Sequence, residues 1–304
     1  MRYSLQFPNR AGKFIESWLG DEGRFSDFGV FAEEAGFDAV SVYDHPFPED
    51  GWLKYGHISF DPFVSLAAIG ERTTRIKLLT NILVSGYRSP YVAAQALATI
   101  DRFSGGRMIV GLAAGYLEAE FAALGAPYQG RGHRLDEAIP AMRAAWTGES
   151  VDRDGEYAAH GHTMFPKPVQ ADIPIWIGGN GTLAMRRAAT MADGWLPMSV
   201  DEAEAAVSKT PPLSTFEHLK EKIDTMLQYR QEAGGAPFEI CFAPFERAIR
   251  DWDEATAAIA GNRQRYADTG VTWMGIVASA RSLGQLHDEV GRFAEAVIQK
   301  DPDR

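Results

Sequence analysis

Cysteine is almost absent from this sequence: Cys241 is the only one in 304 residues. A single cysteine cannot form an intramolecular disulfide, so we expect the protein to work in a reducing compartment, the cytoplasm. Long apolar runs are missing as well, since no stretch approaches the roughly 18 apolar residues of a membrane span. The first residues, MRYSLQFPNR, lack the apolar segment of a signal peptide. We therefore expect neither secretion nor insertion into a membrane.

Positive charge is the scarcer sign, with 30 Lys and Arg against 41 Asp and Glu and a net charge of −11. Such a surface repels nucleic acid and anionic lipid, so we expect neither as a partner. Histidine pairs that resemble metal ligands are rare too. His160 and His162 form one, but it falls in a polar segment and no other predicted strand end supplies further ligands. We therefore predict no metal site.

The clearest pattern in the chain lies between residues 76 and 116. Residues 76–84 are a β-branched and leucine-rich run of strand length, residues 89–103 have helical spacing, and residues 107–115 form a second apolar run. A strand, a crossover helix and a parallel strand make one βαβ unit. This stretch therefore predicts a parallel sheet.

The alternation of strand and helix occurs eight times along the chain. It predicts one (β/α)8 TIM-barrel domain over residues 1–304, with an open doubly wound sheet as the alternative because sequence does not show closure. Two polar segments interrupt the repeat, an excursion at 149–172 that resembles a hairpin and a lid at 199–214. The predicted strands are 3–7, 37–46, 76–84, 107–115, 173–179, 195–198, 238–244 and 271–279.

The functional residues of such a barrel lie at the carboxyl ends of the strands. Asp44 and His45 follow strand two, and imidazole titrates near neutral pH, so His45 is the best acid–base candidate with Asp44 beside it. A histidine satisfied by a local hydrogen bond is the alternative. Strand four ends in the small residues Ala113, Ala114 and Gly115. They either leave room for a flat ligand or pack under the next loop.

Residues 178–181, with the sequence Gly-Gly-Asn-Gly, join strand five to a helix. Their backbone N–H groups could hold a phosphate, and a tight turn without a ligand is the equal alternative. Arg186 and Arg187 follow in that helix, where solvent is their favoured destination. Side chains that could form the walls of an apolar pocket are Phe7, Trp52, Tyr87, Tyr116 and Met198.

Longer motifs show a resemblance to the bacterial-luciferase-like family of flavin- and deazaflavin-dependent oxidoreductases. The matching stretches include GFDAVSVYDHPF at 36–47, residues 80–116, RGHRLDEAI at 131–139, and FPKPVQADIPIWIGGNG at 165–181. The match weakens after about residue 200. This resemblance implies a TIM barrel, usually dimeric, with a flavin-type ring in its mouth.

The resemblance also assigns roles by position. It implies a non-proline cis peptide between Asn81 and Ile82, behind the ring, and a histidine near the reactive part of the ring at His45. It implies a phosphate-binding turn at residues 178–181. The residues expected to contact the cofactor are Phe7, Thr80, Asn81, Ile82, Ala114, Gly115, Tyr116, Gly178, Gly179, Asn180 and Gly181.

The choice of cofactor follows from finer similarities. The Asp-His pair, the YRSP loop and the FPKPVQ-to-IPIWIGG run resemble the branch that uses coenzyme F420. Ala114 stands where the luciferases carry an arginine for the phosphate of flavin mononucleotide (FMN), which weakens the FMN interpretation. The expected function is hydride transfer between F420 and an apolar small molecule.

Three alternatives remain. The first is an FMN-dependent monooxygenase that uses reduced flavin and O2 and has a separate cofactor reductase as partner. The second is a non-catalytic flavin-binding protein on the same barrel. The third, an unrelated lyase or metal hydrolase, would need a Schiff-base lysine or metal ligands at the strand ends, and the predicted ends offer neither.

Overall fold

A computed structural model describes residues 1–8, 24–53 and 59–302. Eight of its strands are parallel and the remaining two form an antiparallel hairpin. The strands are β1 (Arg2–Gln6), β2 (Ala39–Val42), β3 (Lys77–Val84), β4 (Met108–Ala113), β5 (Val151–Arg153), β6 (Ala159–His162), β7 (Ile175–Gly178), β8 (Gly194–Leu196), β9 (Glu239–Phe242) and β10 (Trp273–Val277).

The parallel strands close into a barrel in the order β1-β10-β9-β8-β7-β4-β3-β2. Closure confirms the TIM-barrel prediction over the open-sheet alternative.

The helices are α1 (Asp27–Glu34), α2 (Asp50–Leu53), α3 (Pro62–Arg72), α4 (Pro90–Phe103), α5 (Glu118–Ala123), α6 (Arg131–Trp146), α7 (Thr182–Met191), α8 (Glu202–Ser208), α9 (Phe216–Glu232), α10 (Trp252–Thr269) and α11 (Leu283–Phe293), and a π-helical turn at Ala294–Ile298 follows. Among the described helices, none is long and apolar enough to cross a membrane.

Two apolar layers hold the barrel together. Alternate strand residues point outward to the helices and form the larger layer, while the inward residues form a smaller cluster. Trp176 and Trp273 fill the barrel interior, with their ring centroids 5.3 Å apart in an edge-to-face arrangement. A Cβ at Gly194 would lie 2.4 Å from the Trp176 ring, so only glycine leaves room for this packing.

The segments between the repeat units differ from the sequence expectation in two places. β5 and β6 form the predicted hairpin inside the excursion at 149–172, but the segment 199–214 contains the helix α8, which was not predicted. The spacing of apolar residues predicts a helix over 135–148, whereas helix α6 begins at Arg131 and runs through Pro140 without ending there. Its polar first turn concealed that start, because the periodic apolar pattern begins only at Leu135.

Candidate active site

The mouth of the barrel is open at its carboxyl end. Residues at this end that are partly accessible include Asn81 and Ile82 on β3 and Ala113 on β4, whereas the strand positions below them are buried. We call the space above these accessible residues the cleft, and the residues themselves its floor. His45, the predicted acid–base group, lies at its edge after β2 and is 12% exposed.

One long-range contact, to Glu120, holds His45 in this position, and two further donors hold the Glu120 carboxylate. Nδ1 of His45 lies 2.9 Å from Oε2 of Glu120 on α5, and the Glu120 side chain is fully buried. The Tyr87 hydroxyl donates to the same Oε2 at 2.6 Å, and the Phe47 amide donates to Oε1 at 2.9 Å. One carboxylate therefore receives three donors that come from the ends of β2 and β3.

The electrostatics of this cluster follow from burial and hydrogen bonding. Burial raises the pKa of Glu120, but hydrogen bonds from His45 and Tyr87 outweigh burial and leave the pKa below its ordinary value of 4.5. Burial, together with the Glu120 carboxylate, raises the pKa of Tyr87 well above its ordinary range. Glu120 is therefore an anion, and Tyr87 is a neutral donor to it.

Two aromatic residues flank the histidine. The Trp52 ring, which is buried on the short helix α2, has its centroid 4.1 Å from that of His45. Tyr116, at the end of β4, lies edge-on to His45 at 6.1 Å. Burial, opposed by a hydrogen bond with Trp52, raises the pKa of Tyr116 to about 12. The structure thus brings three sequence-predicted site residues together around His45: Trp52, Tyr87 and Tyr116.

Asp44 does not pair with His45. Its carboxylate forms a bidentate ion pair with Arg88, at 2.7 and 2.8 Å, and also accepts from the amide of Val84 at 3.0 Å. The side chain is 1% exposed. Alternation at the strand end turns Asp44 away from the mouth while His45 faces it. The position of Asp44 therefore suits a structural contact between the ends of β2 and β3.

The floor of the cleft contains the irregular backbone that the resemblance implied. The peptide bond between Asn81 and Ile82 is cis, as predicted, and the pairing of β3 with β4 shifts register between Thr80 and Leu83. The side chain of Gln6 donates to the Asn81 carbonyl at 3.2 Å. Thr80 is buried, and its hydroxyl donates to the carbonyl of Gly111. The shift places Asn81 and Ile82 at the accessible surface of the mouth.

Small residues surround Ile82. A Cβ at Gly178 would lie 2.0 Å from Cδ1 of Ile82 and 3.7 Å from Cβ of Ala113. At the end of β4, Gly115 has φ +84°, and a Cβ there would lie 2.6 Å from Val84. Ala114 beside it is partly accessible. At Gly115 and Gly178 these contacts fit the alternative that small residues are needed for packing, whereas Ala113 and Ala114 leave accessible surface at the mouth.

Hydrogen bonds fix Asn180 within the glycine turn after β7, at residues 178–181. The Asn180 side chain is buried, and its amide donates to the carbonyls of Met198 and Pro211 while its oxygen accepts from the Met198 amide. The Asn180 backbone N–H donates to Thr210. The side chain of Asn180 therefore anchors the segment 199–214 and is not available to a ligand.

The remaining donors of the turn belong to the start of α7. Gly181 occupies the N-cap position, and no side chain caps the helix. Gly179 has φ +116°, a conformation that favours glycine. Arg187 forms a bidentate ion pair with Asp136, and Arg186 stacks over the Tyr229 ring. Neither arginine is directed to the turn: Arg186 is exposed, as expected, whereas Arg187 is partly buried in its ion pair with Asp136.

The alternation of side chains along a strand decides where two predicted site residues, Phe7 and Met198, lie. The Phe7 ring packs against Phe25, Phe28 and Phe60 in the layer outside the barrel, which leaves only its backbone for the predicted cofactor contact. Met198 is partly accessible beyond the end of β8, where it forms a bridge with Ala243. Within the described ranges, no group of three or more His, Cys, Asp or Glu side chains could hold a metal ion.

Sequence reasoning missed Glu120, the central residue of this cluster. A signal was present, because Glu120 occupies the same face of its helix as Leu117 and Phe121. A glutamate on the apolar face of a helix is buried and must find donors. Its partners were not predictable from spacing, since His45 precedes it by 75 residues.

Comparison with known proteins shows which family and which relatives this chain is similar to. The sequence model described as luciferase-like monooxygenase matches residues 8–212. The F420-dependent glucose-6-phosphate dehydrogenase of Microbacterium testaceum is 33% identical over 236 residues, which are 74% of this chain and 69% of that protein. The protein of the same name from Nocardia farcinica is 38% identical over 196 residues, 61% of this chain and 56% of that protein.

A solved structure has the same fold. An F420-dependent secondary alcohol dehydrogenase, in complex with an F420-acetone adduct, aligns with a TM-score of 0.74 over 98% of this chain and 99% of that chain. The sequences are 18% identical. At that identity the similarity concerns the barrel alone.

Proposed function

Because this chain belongs to the luciferase-like monooxygenase family, we propose that it is an oxidoreductase that transfers a hydride between coenzyme F420 and a small-molecule substrate. The observation that carries the proposal is a histidine held by a buried carboxylate at the edge of a cleft with a small-residue floor. The names of the relatives from Microbacterium and Nocardia support F420 as the cofactor.

The cleft fits a flat ring. Its floor consists of Asn81, Ile82 and Ala113, and Gly178 is buried against Ile82, which any larger side chain at Gly178 would displace. A phosphate of the cofactor would lie at the start of α7, whose first N–H groups have no side-chain cap. When bound, F420 supplies a ring carbon that accepts or returns a hydride. The residues of the chain bind and orient that ring and exclude water from it.

His45 handles the proton that accompanies the hydride. Its Nδ1 is engaged with Glu120, so Nε2 is the atom that takes a hydroxyl proton from an alcohol substrate or returns it to a carbonyl. General acid–base catalysis of this kind contributes about 10²- to 10⁴-fold to a rate. Trp52 packs on the imidazole and limits its movement. Asp44 takes no part in the proton transfer, and its ion pair with Arg88 helps to fix the ends of β2 and β3 at the mouth.

The substrate that suits this mouth is apolar and uncharged. The inward positions at the ends of β8, β9 and β10 carry Met198, Ala243 and Val277, and all three are partly accessible. None of these side chains can neutralise a phosphate. Although the two relatives are named as dehydrogenases of glucose 6-phosphate, we propose a secondary alcohol or ketone without a charged group for this chain.

The test is a fluorescence titration of the purified protein with F420 and, separately, with FMN. Binding of F420 in the micromolar range with no binding of FMN supports the proposal. Preference for FMN moves the function to the monooxygenase alternative, and binding of neither contradicts the cofactor assignment. Reduction of F420 is then followed with apolar secondary alcohols and with glucose 6-phosphate. Turnover of the sugar phosphate alone would contradict the substrate class.

A further inference from the structure

Glu120 joins three neighbouring strand ends through one carboxylate. It lies on α5, directly after β4, and it contacts His45 and Phe47 after β2 and Tyr87 after β3. All three contacts are between 2.6 and 2.9 Å. A fully buried carboxylate with this set of donors is a strong local charge, because hydrogen bonds to charged groups in a dry site are stronger than neutral ones.

The protonation state of the cluster follows from its chemistry. An ionised carboxylate can only accept hydrogen bonds, so each partner must present a hydrogen to it. Tyr87 does so with its hydroxyl, and Phe47 does so with its amide. The neutral imidazole of His45 has one N–H, and the contact with Glu120 requires that this hydrogen be on Nδ1. The opposite tautomer would place two lone pairs 2.9 Å apart.

We propose that Glu120 is the positioning residue of this site, which selects the Nδ1–H tautomer of His45 and so leaves Nε2 as the proton acceptor. Tyr87 donates to the same oxygen, Oε2, and thereby holds the carboxylate in the orientation that His45 needs. The consequence for turnover rests on the proposed function. The tautomer itself is a property of the free protein and does not depend on any cofactor.

The experiment measures the tautomer directly. Protein labelled with ¹³C and ¹⁵N at histidine is examined by NMR above neutral pH, and the His45→Asn variant identifies the His45 signals. The imidazole shifts distinguish Nδ1–H from Nε2–H. We expect the Nδ1–H form in the wild type and a mixture of tautomers in Glu120→Gln, because an amide offers both a donor and an acceptor.

The same variants are then compared in turnover and cofactor binding. We expect kcat/KM of Glu120→Gln to fall by about 10- to 100-fold, the usual cost of losing a partner that orients a functional histidine. The dissociation constant for F420 should change little, since Glu120 lies outside the floor. Glu118→Gln is the matched control, because Glu118 is exposed on the same helix. It should keep the wild-type tautomer and kcat/KM.

Two results would overturn the proposal: an Nε2–H tautomer in the wild type, or an unchanged tautomer and kcat/KM in Glu120→Gln. If Glu120→Gln does not fold, Glu120→Ala replaces it, because it removes the carboxylate that accepts from His45. Retention of the wild-type tautomer in Glu120→Ala would then count against the proposal. Failure of the wild type to bind F420 would sink the proposed function and leave the tautomer result standing on its own.

Discussion

His45 and Glu120 have different tasks at the edge of the cleft. His45 is partly accessible and has one ring nitrogen available to a substrate, whereas Glu120 is fully buried and contacts no solvent. Deleting each side chain should therefore change different measured quantities. Loss of His45 removes proton transfer, and loss of Glu120 changes both the orientation of His45 and the stability of the strand ends.

The first prediction concerns His45→Asn. The amide can still donate to Glu120, but it cannot take a proton, so we expect kcat to fall by about 100-fold or more. The F420 dissociation constant should stay close to that of the wild type. Steady-state kinetics and fluorescence titration measure both values. His133→Asn, at an exposed position on α6, serves as control, and wild-type turnover by His45→Asn would show that His45 does not transfer the proton.

The second prediction concerns acid stability. The folded-state pKa of Glu120 lies below 4.5, so its contribution to the free energy of unfolding is present above the unfolded pKa and is lost as pH falls through the folded value. We expect the unfolding free energy of the wild type to fall on acidification and that of Glu120→Gln to fall less. At neutral pH, Glu120→Gln should be less stable by about 2 kcal/mol, the scale of a hydrogen bond to a charged group.

Urea unfolding at about pH 7 and about pH 3 measures this difference. Glu118→Gln should follow the wild type at both pH values, because the Glu118 side chain is exposed. Parallel pH dependence in the wild type and Glu120→Gln would show that Glu120 is not the group responsible.

At the scale of elements, substitution of two inward glycines should separate an effect on folding from an effect on binding. A Cβ at Gly111 on β4 would lie 2.1 Å from the backbone oxygen of Thr80, whereas a Cβ at Gly178 on β7 would meet only the tip of the Ile82 side chain. Backbone cannot move aside as a side-chain methyl can. The same substitution should therefore have different effects on neighbouring strands.

The third prediction follows from this contrast. Gly111→Ala should destabilise the protein by about 1–3 kcal/mol, as overpacking in a core does, with the loss visible in urea unfolding. Gly178→Ala should lose less stability but weaken F420 binding, because the displaced Ile82 occupies the floor of the cleft. Gly284→Ala on α11 is the control, since nothing lies within 4 Å of its added Cβ. Equal F420 affinity in Gly178→Ala and the wild type would contradict this position for the ring.

The strands and helices also show which features of the fold can be predicted from sequence patterns. The apolar runs predicted all eight barrel strands, because period-2 burial and short length are local properties. Helix α8 and the start of α6 were missed, since both begin in polar, exposed residues with no apolar face to mark them. The sequence Asp61-Pro62 is typical of an N-cap followed by a first helical residue, and Asp61 does cap α3 by accepting from the amides of Phe63 and Val64.

At the scale of the whole molecule, the resemblance implies a dimer, and two neighbouring helices carry candidates for its interface. Val64 on α3 is 72% exposed and Val92 on α4 is 61% exposed. Burying such a side chain against a second copy stabilises the dimer by about 1.5–3 kcal/mol. We expect the dimer that the resemblance implies to bury these faces of α3 and α4.

The fourth prediction tests this interface. The double variant Val64→Asp, Val92→Asp should sediment as a monomer at concentrations where the wild type is a dimer, because it places charges in the apolar contact. Leu227→Asp on α9, at a position 44% exposed, should leave assembly unchanged. Analytical ultracentrifugation decides between these results. A wild-type protein that is monomeric throughout would contradict the dimer, and an intact dimer in the double variant would contradict the interface.

The sequence by itself determined the eight strand-helix units, the strand ends that carry the site and the histidine at one of those ends. These follow from local periodicity and from motifs that keep their spacing. Only the tertiary structure decided the partners: Asp44 pairs with Arg88, 44 residues away, and His45 contacts Glu120, 75 residues away. It also turned the Phe7 ring out of the mouth. The physical reason is that alternation sets which face a side chain takes, while closure of the barrel decides which distant residues then share that face.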